Sequence, residues 1–354
     1  MLAHSRVVEP TAEVGNHSGA EMKVAVIGAG AIGGLVGARL AIAGEDVTFL
    51  VRGANLEAIA ARGVTLIEKD GTEQVVRDVR ATDDYAAAGP QDVVVLAVKA
   101  NQVDAVAPLM PRLFGPETVV VTMQNGIPFW YFHRHAGPLE GRQVKSVDPT
   151  GRLIEAMPAA RLIGCVVYPA SDLVEPGVIR HVEGNRLPLG ELDGQRSERV
   201  QRLAASFERA GFKSPVLDDI RSEIWLKLWG NLTFNPVSAL SHSTLEDICR
   251  FPLTRELAAS MMREAEGVAG SLGVSFRVSI DKRIAGAESV GAHKTSMLQD
   301  IEAGRAPEID ALVGSVIELA RHTSIPTPHI DAVYALVKLL SSTLERQHGR
   351  LQIA

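Results

Sequence analysis

Cysteine is nearly absent from this chain: Cys165 and Cys249 are the only two in 354 residues. Their spacing is neither paired nor metal-like, so no disulfide framework is read from them, and such sparse use fits a reducing compartment. Long apolar runs are missing as well; none approaches the ~18 residues of a membrane span. Positive charge is not in excess. Lys and Arg number 36 against 42 Asp and Glu, a net charge of −6. This balance argues against a general nucleic-acid binder and leaves any anionic substrate to local cations. The histidines show no His-x-x-x-His pair or comparable acidic cluster, so no catalytic metal is expected. Residues 1–22 lack the apolar core of a signal peptide and read as a disordered extension. Internal repeats and low-complexity tracts are absent. With 46% hydrophobic and 22% charged residues, the remainder is an ordinary globular composition, long enough for two domains. A cytoplasmic location is expected.

The first ordered stretch is the most legible. Lys23 to Ile27 is a short run rich in β-branched residues, a buried strand. Gly28-Ala29-Gly30-Ala31-Ile32-Gly33 follows at once. A helix over Leu35 to Ala43 ends at Gly44, and Val47 to Val51 is the next strand. Strand, glycine turn, helix and strand form the context that a G-x-G-x-x-G motif needs for dinucleotide binding. Gly28 permits the tight turn, Gly30 lets backbone approach a pyrophosphate, and Gly33 lets helix pack on strand. Sites for NAD place Asp or Glu at the end of the second strand. Here that place holds Arg52, whose planar fork suits a 2′-phosphate, so NADPH (NADP+) is expected over NADH.

Val64 to Glu68 and Glu73 to Asp78 flank Asp70-Gly71 as a hairpin. Strands at Asp92 to Val98 and Thr118 to Met123 deliver Lys99 and Asn125 at their carboxyl ends, where parallel sheets bind ligands. As isolated residues these are equally a surface lysine and an Asn-Gly turn. Strand-like runs at Leu162 to Val167, Val178 to Val182 and Arg186 to Leu192 suggest an antiparallel extension of the sheet, and Ser197 to Ala210 an amphipathic helix. From Asp218 the pattern is helical throughout. The expected division is residues 23–216 as a Rossmann coenzyme domain with that extension, and 217–354 as an all-helical domain.

The first long helix, Ile220 to about Phe234, carries Lys227, Asn231 and Asn235 four residues apart. At about 100° per residue these three share a sector of roughly 80°. Ile224, Leu228 and Leu232 make the rest of the rod apolar. A polar stripe on a buried rod needs a polar partner, and a substrate is one candidate. Taken alone, a solvated face is the commoner explanation. Further on, Ser296 either caps a helix or contacts a ligand, with capping the commoner role. Glu308 opens the next helix, where the helix dipole alone favours a carboxylate.

Together these residues resemble the ketopantoate reductase family. The similarity covers about Lys23 to Lys338. It rests on the Gly28–Gly33 loop, Lys-x-x-x-Asn-x-x-x-Asn-Pro at Lys227, Ser296-Met-Leu-Gln-Asp, and Glu308-Ile-Asp310. The glycine loop occurs in many families; the other three, in this order, are more selective. The resemblance implies a Rossmann domain followed by an all-α domain of the 6-phosphogluconate dehydrogenase C-terminal type. It implies NADPH-dependent reduction of a 2-oxo acid, ketopantoate first, with a small-molecule substrate and no nucleic acid or membrane. It also admits a homodimer. Lys227 is implied as general acid, Asn231 and Asn235 as substrate-site amides, Glu308 as the contact to a substrate hydroxyl and Ser296 as a contact to its carboxylate. Arg52, Lys99 and Asn125 are implied in the coenzyme cleft. Tyr168 and Pro169 depart from the expected pattern at a strand end facing the site, and residues 141–161 form a longer segment. A related hydroxyacid dehydrogenase acting on another branched acid, or a non-catalytic NADPH sensor, are the competing readings.

Overall fold

The computed structural model describes residues 21–349. The expected tail falls outside them up to residue 20. Met22, placed in that tail by the sequence reading, is instead buried, and its amide donates to Glu45 Oε2 at 2.7 Å. Eleven strands are defined among the described residues: β1 Lys23–Ile27, β2 Asp46–Leu50, β3 Val64–Ile67, β4 Glu73–Val76, β5 Arg80–Thr82, β6 Gln91–Leu96, β7 Phe114–Thr122, β8 Leu162–Cys165, β9 Ala170–Glu175, β10 Val178–Glu183 and β11 Leu189–Glu191.

The main sheet has the order β11-β8-β7-β6-β1-β2-β5. Its pairs are parallel except β11 on β8. The reason lies in the side chains. Along β1, Val24 and Val26 face one core while Ala25 and Ile27 face the other, and Val93 to Leu96 in β6 alternate in the same way. A sheet covered on both faces reads as a continuous apolar run, as the sequence does here. One face is covered by the Ala31–Ile42 and Glu198–Arg209 helices. The other shares its core with the helical region, so Leu96 and Val120 belong to one cluster with Trp225 and Trp229.

Two expectations are corrected. The proposed antiparallel extension is divided. Strands β8 and β11 join the main sheet, β8 in parallel, while β9 and β10 join β3 and β4 in a second sheet of order β4-β3-β10-β9. The runs of β8, β10 and β11 were visible in sequence and that of β9 was not, nor was pairing across more than a hundred residues. The first helix begins at Ala31, inside the glycine loop, rather than at Leu35.

From Ile220 onward the described chain is helical. Its organising rod runs Ile220–Ser241, past the expected end and through Pro236. A proline inside a helix removes one hydrogen bond, yet Pro236 is buried there and core packing carries the rod onward. Arg221 fixes one end, donating to the carbonyls of Tyr131, His133 and Leu192 at 2.5–2.7 Å. Trp225 Nε1 donates to the Tyr131 hydroxyl at 2.8 Å. Trp229 donates to Met262 O and stacks on Phe276 with ring centroids 4.0 Å apart. Among the described residues no helix is long and apolar enough to cross a membrane.

Candidate active site

The rod is aimed at the carboxyl ends of the parallel strands, and Lys227 is where the two meet. Its ammonium donates to Asn125 Oδ1 at 2.6 Å and to the carbonyl of Val167. Asn125 stands in the turn after β7, and Val167 lies just beyond β8. The Tyr168 ring lies beside them, its centroid 5.9 Å from Lys227 Nζ. No carboxylate among the described residues forms an ion pair with Lys227. Burial, offset in part by Cys165 and Glu308, lowers its pKa to about 8. Burial pushes the Cys165 thiol up to about 12, so it stays neutral beside the ammonium.

Lys227 and Asn125, with Asn231, line a narrow cavity that Gln124, Gly126, Cys165 and Val167 close. Asn235 and Ser296 do not line it. Asn235 is buried one turn further along, with no side-chain hydrogen bond inside the described protein. Ser296 is exposed at the first position of the Ser296–Glu302 helix. The cap of that helix is Thr295, whose hydroxyl accepts from Leu298 N at 3.3 Å. The capping role weighed for Ser296 therefore belongs to its neighbour, and the Ser296 hydroxyl has no hydrogen-bond partner among the described residues.

Glu308 is half-buried and reaches the cleft from the segment before the π-helical Asp310–Gly314 stretch. It stands outside the helix it was expected to open, its carbonyl accepting from Leu312 N at 3.1 Å. One carboxylate oxygen accepts from Ala100 N at 2.7 Å, and burial raises its pKa. Lys99, next to Ala100, ends in an ion pair with Asp300 at 2.5 Å. Asp300 is buried and also receives Arg305 Nε at 2.9 Å. Sequence reasoning quoted Asp300 within a motif but gave it no role. A carboxylate five residues from Arg305 and six from Lys294 gives no local sign that it also meets Lys99. The Lys99–Asp300 and Ala100–Glu308 contacts tie the sheet region to the helical region beside the cavity.

The glycine loop has the geometry of a phosphate cradle. Gly28 has φ +92°, and a Cβ there would meet Val98 Cγ1 at 2.7 Å. A Cβ on Gly33 would press on Ala97 Cβ at 2.9 Å and on the Gly28 carbonyl. Gly30 faces open space, with nothing within 4 Å of its missing Cβ. Ala29, Ala31 and Ile32 complete the loop, and the helix start there offers unpaired amides to an anion. Asn55 braces the loop, donating to Ala29 O at 3.2 Å and accepting from Gly177 N at 3.0 Å. Arg52 is exposed just past β2, without an ion pair among the described residues. These residues fit a dinucleotide bearing a 2′-phosphate.

Residues 24–194 match the family described as ketopantoate reductase PanE/ApbA, and residues 219–341 match ketopantoate reductase PanE/ApbA C terminal. The 2-dehydropantoate 2-reductase of Mesorhizobium japonicum is 54% identical over 321 residues, which cover 90% of this chain and 98% of that protein. A crystal structure of a ketopantoate reductase from Ralstonia solanacearum superposes with a TM-score of 0.88 at 44% identity, over 92% of this chain and 99% of its own. The ternary structure of D-mandelate dehydrogenase with NADH and anilino(oxo)acetate shares the fold, with a TM-score of 0.79 at 21% identity over 92% of this chain and 100% of its own. Both halves of the chain thus match one family, in order and over nearly their whole length, and the chain belongs to the ketopantoate reductase family.

Proposed function

We propose that this chain reduces the 2-ketone of 2-dehydropantoate to the hydroxyl of pantoate, with Lys227 as the general acid. As a ketopantoate reductase it is an NADPH-dependent oxidoreductase acting on CH–OH, and the family name places that step in pantothenate biosynthesis. The observation that carries the role of Lys227 is its position. Its charge has no carboxylate partner among the described residues, and it lines one cavity with the coenzyme-side Asn125 and with Asn231 of its own polar stripe.

NADPH, when bound, supplies a hydride to the carbonyl carbon. The protein must then stabilise negative charge growing on the ketone oxygen and deliver a proton to it. An ammonium with a pKa of about 8 is charged at neutral pH and gives up its proton more readily than an ordinary lysine. Asn125 and the Val167 carbonyl hold Lys227 at the cavity. Asn231 and Asn235 supply amides to the substrate, Ser296 a hydroxyl to its carboxylate, and Glu308 its second oxygen to a substrate hydroxyl. The Gly28–Gly33 loop takes the pyrophosphate and Arg52 the 2′-phosphate, with Lys99 nearby.

The cavity holds about 20 Å³, room for little more than a water. Substrate entry therefore requires the cavity to open, and its closing encloses the reaction. A cytoplasmic enzyme, acting as a monomer or homodimer, fits the sparse buried cysteines.

The test is NADPH consumption with branched, straight and aromatic 2-oxo acids, the last because the Tyr168 ring faces Lys227. 2-Dehydropantoate should give the highest kcat/KM. A better aromatic or other acid would transfer the assignment to a related hydroxyacid dehydrogenase. Tight NADPH binding with no turnover would make the chain a sensor.

A further inference from the structure

Glu223 precedes Lys227 by four residues on one helix. A glutamate four residues before a lysine is the favoured arrangement for a helical ion pair. Yet the pair is not made. The Glu223 carboxylate turns away to Tyr168, whose hydroxyl donates to Oε1 at 2.6 Å, and to the guanidinium of Arg186. Arg186 also lies over the Tyr168 ring, 5.1 Å from its centroid, and accepts Tyr168 N at its carbonyl at 3.2 Å. Glu223 is largely enclosed, with its side chain 12% exposed.

We propose that Arg186 and Tyr168 are positioning residues that sequester Glu223, so that Lys227 stays unpaired and free to serve the ketone. The inference rests on Lys227 being the acid. Among the described residues the other titratable groups beside the ammonium are Cys165, Tyr168 and Glu308, with the Arg283 guanidinium packed further along the rod at Gly230. Cys165 and Tyr168 come from the strand end and are neutral, burial pushing both above their ordinary values. Glu308 faces it from the stretch before the π-helical segment, engaged by Ala100 N and backed by Lys99 and Asp300. Asn125 is uncharged. Glu223 is thus the carboxylate on the lysine's own helix positioned to capture it, and capture would have two effects. An adjacent anion favours the charged ammonium, making it a weaker acid. It would also draw Nζ away from Asn125 and the ketone.

The experiment compares wild type, Arg186→Gln and Arg186→Gln/Glu223→Gln. The pKa of Lys227 is read directly by NMR titration of isotopically labelled lysines, and the pH profile of kcat/KM is read alongside. Arg186→Gln should move both the lysine titration and the basic limb upward by roughly one to three pH units, with lower kcat at neutral pH. Adding Glu223→Gln should bring both back, a rescue that a merely structural role for Arg186 would not give. Arg186→Lys, which keeps the charge, should stay near wild type. If Arg186→Gln does not fold, Tyr168→Phe removes one of the two tethers and should shift the titration in the same direction by less. An unmoved lysine titration, or a defect that persists in the double variant, overturns the proposal. Normal turnover in Lys227→Ala would instead remove the underlying assignment of the acid.

Discussion

Lys227 and Arg52 are two cations in opposite settings, one lining a narrow cavity and one exposed. Arg52 is exposed, has no ion pair among the described residues, and is the proposed contact to the coenzyme 2′-phosphate. Arg52→Ala should raise the KM for NADPH by roughly 10-fold or more while leaving that for NADH unchanged, since a charge-assisted contact is worth ~1.5–3 kcal/mol. Steady-state kinetics with both coenzymes check this, and an unchanged preference would refute it. Lys227 is enclosed, and burial lowers its pKa to about 8. The sign follows directly. Below that pH the lysine carries the proton it must donate, and above it the proton is gone. Reductive kcat/KM, which reports the free enzyme, should be flat below pH 8 and fall about tenfold per pH unit above it. A profile flat to pH 10 or so would contradict an acid with that depressed value.

At the scale of elements, the Ile220–Ser241 rod matters most because it sets the lysine's position. Its fixed points are Arg221 on three carbonyls and Trp225 packed with no exposure against Tyr131. Trp225→Ala should cost ~3–5 kcal/mol of stability, through cavity creation and the orphaned Tyr131 hydroxyl. Denaturant unfolding measures this; a loss under ~1 kcal/mol would mean that the rod is held elsewhere. Much of this element was legible in sequence, since the spacing of Ile224, Leu228 and Leu232 marks a buried helix and Lys227, Asn231 and Asn235 a single stripe. Its length was not. Pro236 is a local stop signal, overridden by burial that local sequence does not reveal. The same limit explains Thr295 taking the cap from Ser296, and Asp300 meeting Lys99 across 201 residues. Most strands were legible as runs, though Arg80–Thr82 and Ala170–Glu175 were not, and the strands' division between two sheets depends on partners far along the chain. Glycine-loop positions were the most readable of all, because a positive φ at Gly28 and close approach at Gly33 are demands that few other residues can meet.

The whole molecule joins two composition patterns at residue 216 or so, yet its two cores are divided by the main sheet and not at that position. Leu96, Val120, Trp130 and Trp225 pack in one cluster. That shared core fixes the rod against the sheet, while the Lys99–Asp300 and Ala100–Glu308 contacts join the sheet region to the helical region a second time. The coenzyme elements sit on the sheet side and the proposed acid on the helical side. Binding of NADPH and proton delivery should therefore be separable by mutation. The most direct measurement is the kcat and the NADPH affinity of Lys227→Ala, taken together. The expected result is a fall in kcat of ~10²–10⁴-fold, with NADPH bound as tightly as by the parent enzyme. Near-normal turnover of 2-dehydropantoate by that variant would contradict the account.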